Sequence, residues 1–186
     1  MLKKKLMVGL LLIMSATISF GQDKYFTKTG KINFSSTASL EDIEAKNKTV
    51  TAVLDSKTGA IQFAALMKSF EFEKQLMQQH FNENYVESDK FPKGEFKGVI
   101  TNNSGINYNK DGVYTAKVKG KMTIHGITKD VETTGTIKVD GGKINANSVF
   151  NILLSDYKIK IPAVVKDKVS NSIKVSVDCQ LEPLKS

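Results

Sequence analysis

The sequence predicts a mainly β protein, built as a single antiparallel β-barrel or sandwich with one short helix at roughly residues 73–83. Apolar residues recur at every second position through much of the chain, which is the period of a half-buried strand. Turn-forming residues separate these stretches at intervals of roughly 8–12 residues, as in other all-β domains. With 186 residues, of which 40% are hydrophobic and 25% charged, the composition is that of one ordinary globular domain.

The clearest strands lie in the second half of the chain. Between positions 114 and 124, apolar or small residues alternate with lysine and threonine, so the two kinds of side chain take opposite faces. The stretch from Val131 to Val139 repeats this pattern, and His125-Gly126-Ile127-Thr128 lies between the two, which predicts an antiparallel hairpin. Asp140-Gly141-Gly142 marks the next turn. The predicted strands of this half are 114–124, 131–139, 144–154 and 173–181.

The alternation is weaker before position 102. The candidate strands there are Lys31–Ser36, Val50–Asp55, Ala60–Ala65, Leu66–Phe72 and Phe96–Thr101. In the tract 159–167, Pro162 excludes a regular central strand, because proline cannot donate a ladder hydrogen bond.

One segment, Glu73–Glu83, breaks the β pattern. It consists mostly of good helix formers and contains neither glycine nor proline, which predicts a helix of two to three turns that ends before Asn84. At helical spacing four side chains share one face: Leu76, Met77, His80 and Phe81.

The first 21 residues predict a secretory signal peptide. Three lysines at positions 3–5 precede an apolar run from Leu6 to Met14, and small residues stand at Ser19 and Gly21, before the expected cleavage site. The alternative is an N-terminal membrane anchor, but the run is much shorter than the roughly 20 residues of a spanning helix. We therefore expect a soluble periplasmic or secreted domain of residues 22–186.

The charged residues argue against a nucleic-acid partner. All 27 basic residues are lysine, and without the three in the predicted signal peptide 24 basic residues face 19 acidic ones, a net charge of about +5. Arginine, the bidentate binder of phosphate, is absent, and no aromatic residues are interleaved with the lysines. A ladder of lysines on one strand face is either a solvated outer surface or a surface for transient contact with anionic membrane head groups. Its members are Lys117, Lys119 and Lys121, with Lys129 and Lys138 near them.

Two motifs resemble those of the YceI-like family of exported bacterial proteins. The segment 120–131, GKMTIHGITKDV, resembles the family hairpin G-x-L-T-l-h-G-v-T-k-x-V. The segment 91–96, FPKGEF, resembles the [FY]-P-x-x-x-F tract that follows the family's short helical stretch. The resemblance covers most of residues 25–182. It implies a lipocalin-like, eight-stranded antiparallel barrel that binds a polyisoprenoid or another long amphiphilic chain and needs no cofactor.

The chain departs from the family pattern at two places. Tyr25-Phe26 stands where many members carry a tryptophan, and Glu73-Lys74 stands where many carry an arginine–aspartate pair. The resemblance therefore implies a divergent member whose contacts to a ligand head group differ.

Two interpretations of the barrel interior stay open. An eight-stranded barrel is about wide enough to hold one slender ligand or to be filled by its own side chains. A filled barrel would act as a protein- or membrane-surface interaction module instead of a lipid carrier. If the protein is a carrier, the helix face of Leu76, Met77 and Phe81 is the candidate lid, and the alternative is that the helix permanently plugs one end of the barrel. The predicted lining residues are Phe63, Phe72, Leu76, Phe81, Phe96, Ala116, Val118, Met122, Ile124 and Phe150.

The sequence offers little for catalysis or metal binding. Cys179 falls on the apolar face of a strand, where a thiol is usually inert and has no disulfide partner. His125 lies in a tight turn, where we expect it to bond to backbone or pack the hairpin, and we expect a buried imidazole at His80. Two histidines without a close spacing make a poor metal site. We therefore expect a protein that is not an enzyme and holds no metal.

Overall fold

A computed structural model describes residues 23–184, so the predicted signal peptide lies outside the described residues. Within them, eight antiparallel strands close into a barrel, which confirms the predicted fold class. The barrel order is β1-β9-β8-β7-β6-β5-β3-β2, and β2 pairs back with β1; the two-residue β4 extends the sheet beside β2. The elements are β1 (Lys24–Thr37), β2 (Asp42–Asp55), β3 (Ala60–Leu66), β4 (Glu71–Phe72), α1 (Gln75–His80), β5 (Lys93–Ile100), β6 (Gly112–Ile124), β7 (Ile127–Asp140), β8 (Lys143–Leu153) and β9 (Ser172–Pro183).

The β6–β7 hairpin forms as predicted, with a tighter turn. The strands pair without interruption from Gly112↔Val139 to Ile124↔Ile127, so only His125 and Gly126 remain in the turn. Both residues have positive φ, +52° and +71°. That combination matches the two-residue hairpin turns whose twist suits the flanking strands.

Two predicted elements differ from the structure, and β1 and β2 begin earlier than predicted, at Lys24 and Asp42 instead of Lys31 and Val50. The predicted strand over 66–72 is wrong: Leu66 ends β3, the chain then makes one 3₁₀ turn, Met67–Ser69, and Glu71–Phe72 form the short β4. Met67 and Phe70, three residues apart, are both buried on the same side, whereas in a strand their side chains would point to opposite faces. The helix is shorter than predicted at its start but continues as a π-helical turn over Phe81–Tyr85. The tract around Pro162 is non-β, as expected, with a 3₁₀ turn at Ala163–Val165.

The hydrophobic core fills one end of the barrel. Leu54, Ile144 and Leu181 have no exposed surface, and they lie near the β2–β3 and β7–β8 turns. Cys179 packs here against Gly30, where any side chain on Gly30 would overlap the sulfur. None of the helices in residues 23–184 is long and apolar enough to span a membrane.

Candidate functional site

The other end of the barrel encloses a cavity of about 500 Å³. This volume lies in the range of roughly 300–1,000 Å³ typical of ligand sites. The walls are mainly aliphatic and aromatic side chains that point inward from the strands and from α1. All ten predicted lining residues border the cavity: Phe63, Phe72, Leu76, Phe81, Phe96, Ala116, Val118, Met122, Ile124 and Phe150. Their contact with a ligand stays a prediction.

Small residues meet on adjacent strands in the cavity wall. Ala116 of β6 is paired with Gly135 of β7, and Gly135 is paired with Ser148 of β8. Large inward residues of the same wall, including Val118 and Met122, keep part of their surface accessible and line the cavity. The barrel is thus filled at one end and hollow at the other.

Four phenylalanines anchor the helical segment to the barrel. Phe81, at the start of the π-helical turn, has its ring centroid 5.1 Å from that of Phe72 and 5.5 Å from that of Phe34 on β1. Phe70 completes the cluster, 5.3 Å from Phe34. Aromatic pairs at such separations contribute about 0.5–1.5 kcal/mol each beyond their buried area. The cluster covers the hollow end from one side.

The mouth of the cavity is bordered by charged side chains. Glu41, Lys74 and Lys168 line it, together with His80. Lys74 Nζ donates to Glu41 Oε1 at 3.0 Å, and this hydrogen bond raises the pKa of the Lys74 amine. The site therefore combines an apolar interior with a polar, charged rim.

The comparisons with known proteins agree with this architecture. The family model of the YceI-like domain matches residues 15–181, nearly the whole chain. The chain belongs to the YceI-like family. No curated protein sequence is significantly similar to it.

Solved structures share the YceI-like fold at low sequence identity. One is described as a polyisoprenoid binding domain from Saccharophagus degradans, implicated in plant cell wall breakdown; it is 11% identical, has a TM-score of 0.77, and the match covers 88% of this chain and 99% of that one. Burkholderia cenocepacia BcnA is 17% identical with a TM-score of 0.67, covering 82% and 95%. A Campylobacter jejuni YCEI protein is 20% identical with a TM-score of 0.56, covering 76% and 85%.

In this YceI-like domain His125 joins three segments. Its Nδ1 lies 3.0 Å from the Tyr157 carbonyl oxygen, and its Nε2 lies 2.6 Å from Glu87 Oε2. Both partners are acceptors, so a protonated ring can donate to both at once. The hairpin turn is thereby tied to the Leu154–Tyr157 turn and to the end of the helical segment, as the sequence prediction of a bonding histidine requires.

His80 is exposed, so the prediction of a buried imidazole is wrong. Leu76, one turn earlier on the same face, keeps 61% of its surface exposed. The reason is that this part of the face lies at the mouth of the cavity, whereas Met77 and Phe81 reach further in.

The cysteine and the metal-ligating residue types form no reactive cluster. Burial raises the pKa of the Cys179 thiol to about 12, which disfavours the nucleophilic thiolate. Within residues 23–184 no three His, Cys, Asp or Glu side chains are grouped to hold a metal ion.

Acidic residues of the neighbouring strand neutralise part of the lysine ladder. Lys119 Nζ lies 2.7 Å from Glu132 Oε1, and Lys121 Nζ lies 2.9 Å from Asp130 Oδ1. These pairs are exposed and contribute little to stability, but they weaken the ladder as an anion-binding surface.

Sequence reasoning missed Phe34, Phe70 and the charged rim. Phe34 could have been found, because it shares the inward face of the predicted strand 31–36 with Ile32 and Ser36. Phe70 was missed because the segment 66–72 was predicted to be a single strand. The charged rim residues Glu41, Lys74 and Lys168 lie far apart in the sequence, and no local sequence pattern shows that they meet in the fold.

Proposed function

We propose that this chain is a binding protein that holds the hydrocarbon chain of a polyisoprenoid or a similar slender lipid inside its barrel, for carriage, storage or sequestration. The observation that supports this most is the hollow half of the barrel, an apolar space of about 500 Å³. The similarity in fold to a domain described as polyisoprenoid binding supports the same class of ligand.

The charged mouth favours an amphiphile over a pure hydrocarbon. A chain inserted into the apolar interior would leave its polar end beside Lys74, Glu41 and Lys168. Lysines at that position can attract a phosphate or carboxylate without the bidentate geometry that arginine gives.

Energetics favour a long chain. Each buried methylene contributes about 0.8 kcal/mol. Ten of them give roughly 8 kcal/mol, against an association cost of at least about 4 kcal/mol. Short alcohols should therefore bind weakly, and affinity should rise with chain length until the cavity is full.

A matched pair of variants on one strand tests the proposal. Val118 points into the cavity, whereas Val113 on the same strand points outward with 67% of its surface exposed. Val118→Trp narrows the interior and should lower the lipid that co-purifies with the protein about tenfold, the effect of ~1.4 kcal/mol of lost binding. Val113→Trp should leave it unchanged.

The readout is mass spectrometry of an organic-solvent extract of each purified protein, per mole of protein. Wild-type protein that yields no lipid, or a Val118→Trp variant that carries as much as the wild type, would contradict the proposal. Equal melting temperatures of the two variants would show that a difference in lipid content does not come from misfolding.

Export and the absence of catalysis belong to the same proposal. The signal-peptide pattern of residues 1–21 supports a periplasmic or secreted location. The high pKa of Cys179 and the engagement of His125 in structural bonds support binding without turnover. Amino-terminal sequencing of the protein from fractionated cells tests the location: a chain that begins at Gln22 outside the cytoplasm is expected, and an uncleaved cytoplasmic chain would contradict it.

A further inference from the structure

An apolar loop bracketed by lysines projects beside the cavity mouth. The segment 160–166 reads Lys-Ile-Pro-Ala-Val-Val-Lys, and its centre forms the 3₁₀ turn Ala163–Val165. Val164 is 90% exposed, more than any other large apolar residue described. Val165, next to it, lines the cavity. The loop therefore places an aliphatic tip in solvent at the point where a ligand would enter.

Two other segments bring exposed apolar residues to the same place. Leu40, in the β1–β2 loop, is 70% exposed, and its backbone N–H donates to the Asp167 carbonyl at 3.0 Å. Leu76 of α1 is 61% exposed and borders the cavity, and α1 is joined to the β1–β2 loop by the Lys74–Glu41 ion pair. Leu40, Leu76 and Val164, here called the rim triad, thus surround one opening.

The charge around the loop is positive. Between positions 158 and 168 four lysines face a single acidic residue, Asp167. The lysines are Lys158, Lys160, Lys166 and Lys168, and all are exposed. None of these four is in an ion pair among those found in the described residues, unlike Lys119 and Lys121 of the ladder.

We propose that the rim triad and its lysines dock on the surface of an anionic lipid bilayer. The aliphatic tips enter the interfacial region, and the long lysine side chains reach the phosphates beside them. This arrangement fits a bilayer better than a protein partner, since the apolar groups are single protruding tips flanked by flexible amines, not a flat, closely packed patch.

This proposal rests on the proposed lipid-binding function and adds to it the surface from which the lipid is taken. A water-insoluble chain cannot cross the aqueous phase, so it must enter the barrel where the mouth meets a membrane. The rim triad would place that mouth against the lipid source.

Co-sedimentation with vesicles tests the docking. The probes are vesicles of phosphatidylcholine alone and of phosphatidylcholine mixed with phosphatidylglycerol. We expect stronger binding to the mixed vesicles, which weakens as salt is added. Val164→Asp should lower this binding about tenfold, since it replaces an inserted aliphatic tip by a carboxylate. Lys166→Gln should lower it about fivefold, the effect of losing roughly one basic contact with an anionic surface.

Val113→Asp is the matched control, because Val113 is similarly exposed but lies on the outer barrel wall. Equal loss in Val113→Asp and Val164→Asp would overturn the proposal, as would wild-type protein that ignores both kinds of vesicle. Sedimentation velocity adds a further arm: a wild-type dimer that Val164→Asp dissociates would assign the rim to a second copy of this chain instead of a bilayer.

The lipid content of the purified variants separates the two proposals. Val164→Asp protein that retains co-purified lipid but loses vesicle binding supports docking as a separate step. If no lipid co-purifies with the wild type or any variant while the wild type still binds vesicles, the lipid-binding function is overturned and the docking proposal is retained.

Discussion

At the scale of single residues, the Glu87–His125 pair connects the helical segment to the barrel. Glu87 adopts a φ of +45°, which is uncommon for a residue with a side chain, and its carboxylate meets a ring that is itself held by the Tyr157 carbonyl. The hydrogen bond from His125 is the main cause that lowers the pKa of the Glu87 carboxyl, and Lys90 adds to it. The hairpin turn of the family motif is therefore held to the segment that follows the helix.

The lowered pKa predicts a pH dependence of stability. The pKa of Glu87 is lower in the folded protein than its ordinary value of 4.5. The stabilisation from this carboxylate is therefore complete above pH 4.5 and is lost as the pH falls through the lower pKa of the folded protein. Between about pH 5 and about pH 3 the wild type should lose more free energy of unfolding than Glu87→Gln. Urea denaturation at a series of pH values measures this difference.

Glu73→Gln is the control for this experiment, because Glu73 is an exposed carboxylate on the same stretch of chain. Its curve should follow that of the wild type. Parallel curves for the wild type and Glu87→Gln would show that the pair makes no net contribution.

At the scale of elements, α1 is the least supported part of the fold. It has six residues, none of them buried, and Lys74 at its start provides no capping hydrogen bond. Helices shorter than about 12 residues are marginal without tertiary contacts. Its position therefore depends on the Phe81 cluster and on the ion pair with Glu41.

Hydrogen exchange measured by mass spectrometry should distinguish a lid from a plug. Amides of residues 75–85 should exchange faster than those of β6–β8, and addition of geranylgeraniol should slow them if the segment closes over a bound chain. Phe81→Ala should speed exchange of the segment further. Leu76→Ala, which removes a mostly exposed side chain, should change it little. Protection of 75–85 equal to that of β8, with or without the alcohol, would identify a permanent plug.

The reach of sequence reasoning differs between elements. The β6–β7 hairpin was predictable because alternation and turn residues are local properties of the chain. The prediction of a strand over 66–72 was wrong because Met67 and Phe70 are buried by contacts with distant parts of the chain, which local alternation does not report. Eight of the ten predicted lining residues followed from strand alternation, and Leu76 and Phe81 followed from the helix face. The rim depends on two loops and the start of α1, which meet only in the closed barrel.

At the scale of the whole molecule, the barrel has a tightly packed end and an end with a cavity. One end holds three large aliphatic residues with no exposed surface, Leu54, Ile144 and Leu181. The other end leaves inward side chains such as Ile152 and Phe150 beside an opening. A barrel closed by continuous strand pairing tolerates this, because the backbone hydrogen bonds are satisfied around the full circle.

This division predicts that one substitution has unequal effects at two positions of β8. Ile144→Ala removes methylenes from the filled end, where no space is available for relaxation, and should cost about 2–5 kcal/mol of unfolding free energy. Ile152→Ala enlarges a cavity that already exists and should cost about 1–2 kcal/mol, mainly the transfer of the removed groups. Urea denaturation of the two lipid-extracted variants measures the difference. Lipid content should respond in the opposite order, since Ile152 borders the proposed ligand and Ile144 does not. Equal costs at the two positions would mean that the hollow end is as tightly packed in solution as the filled one.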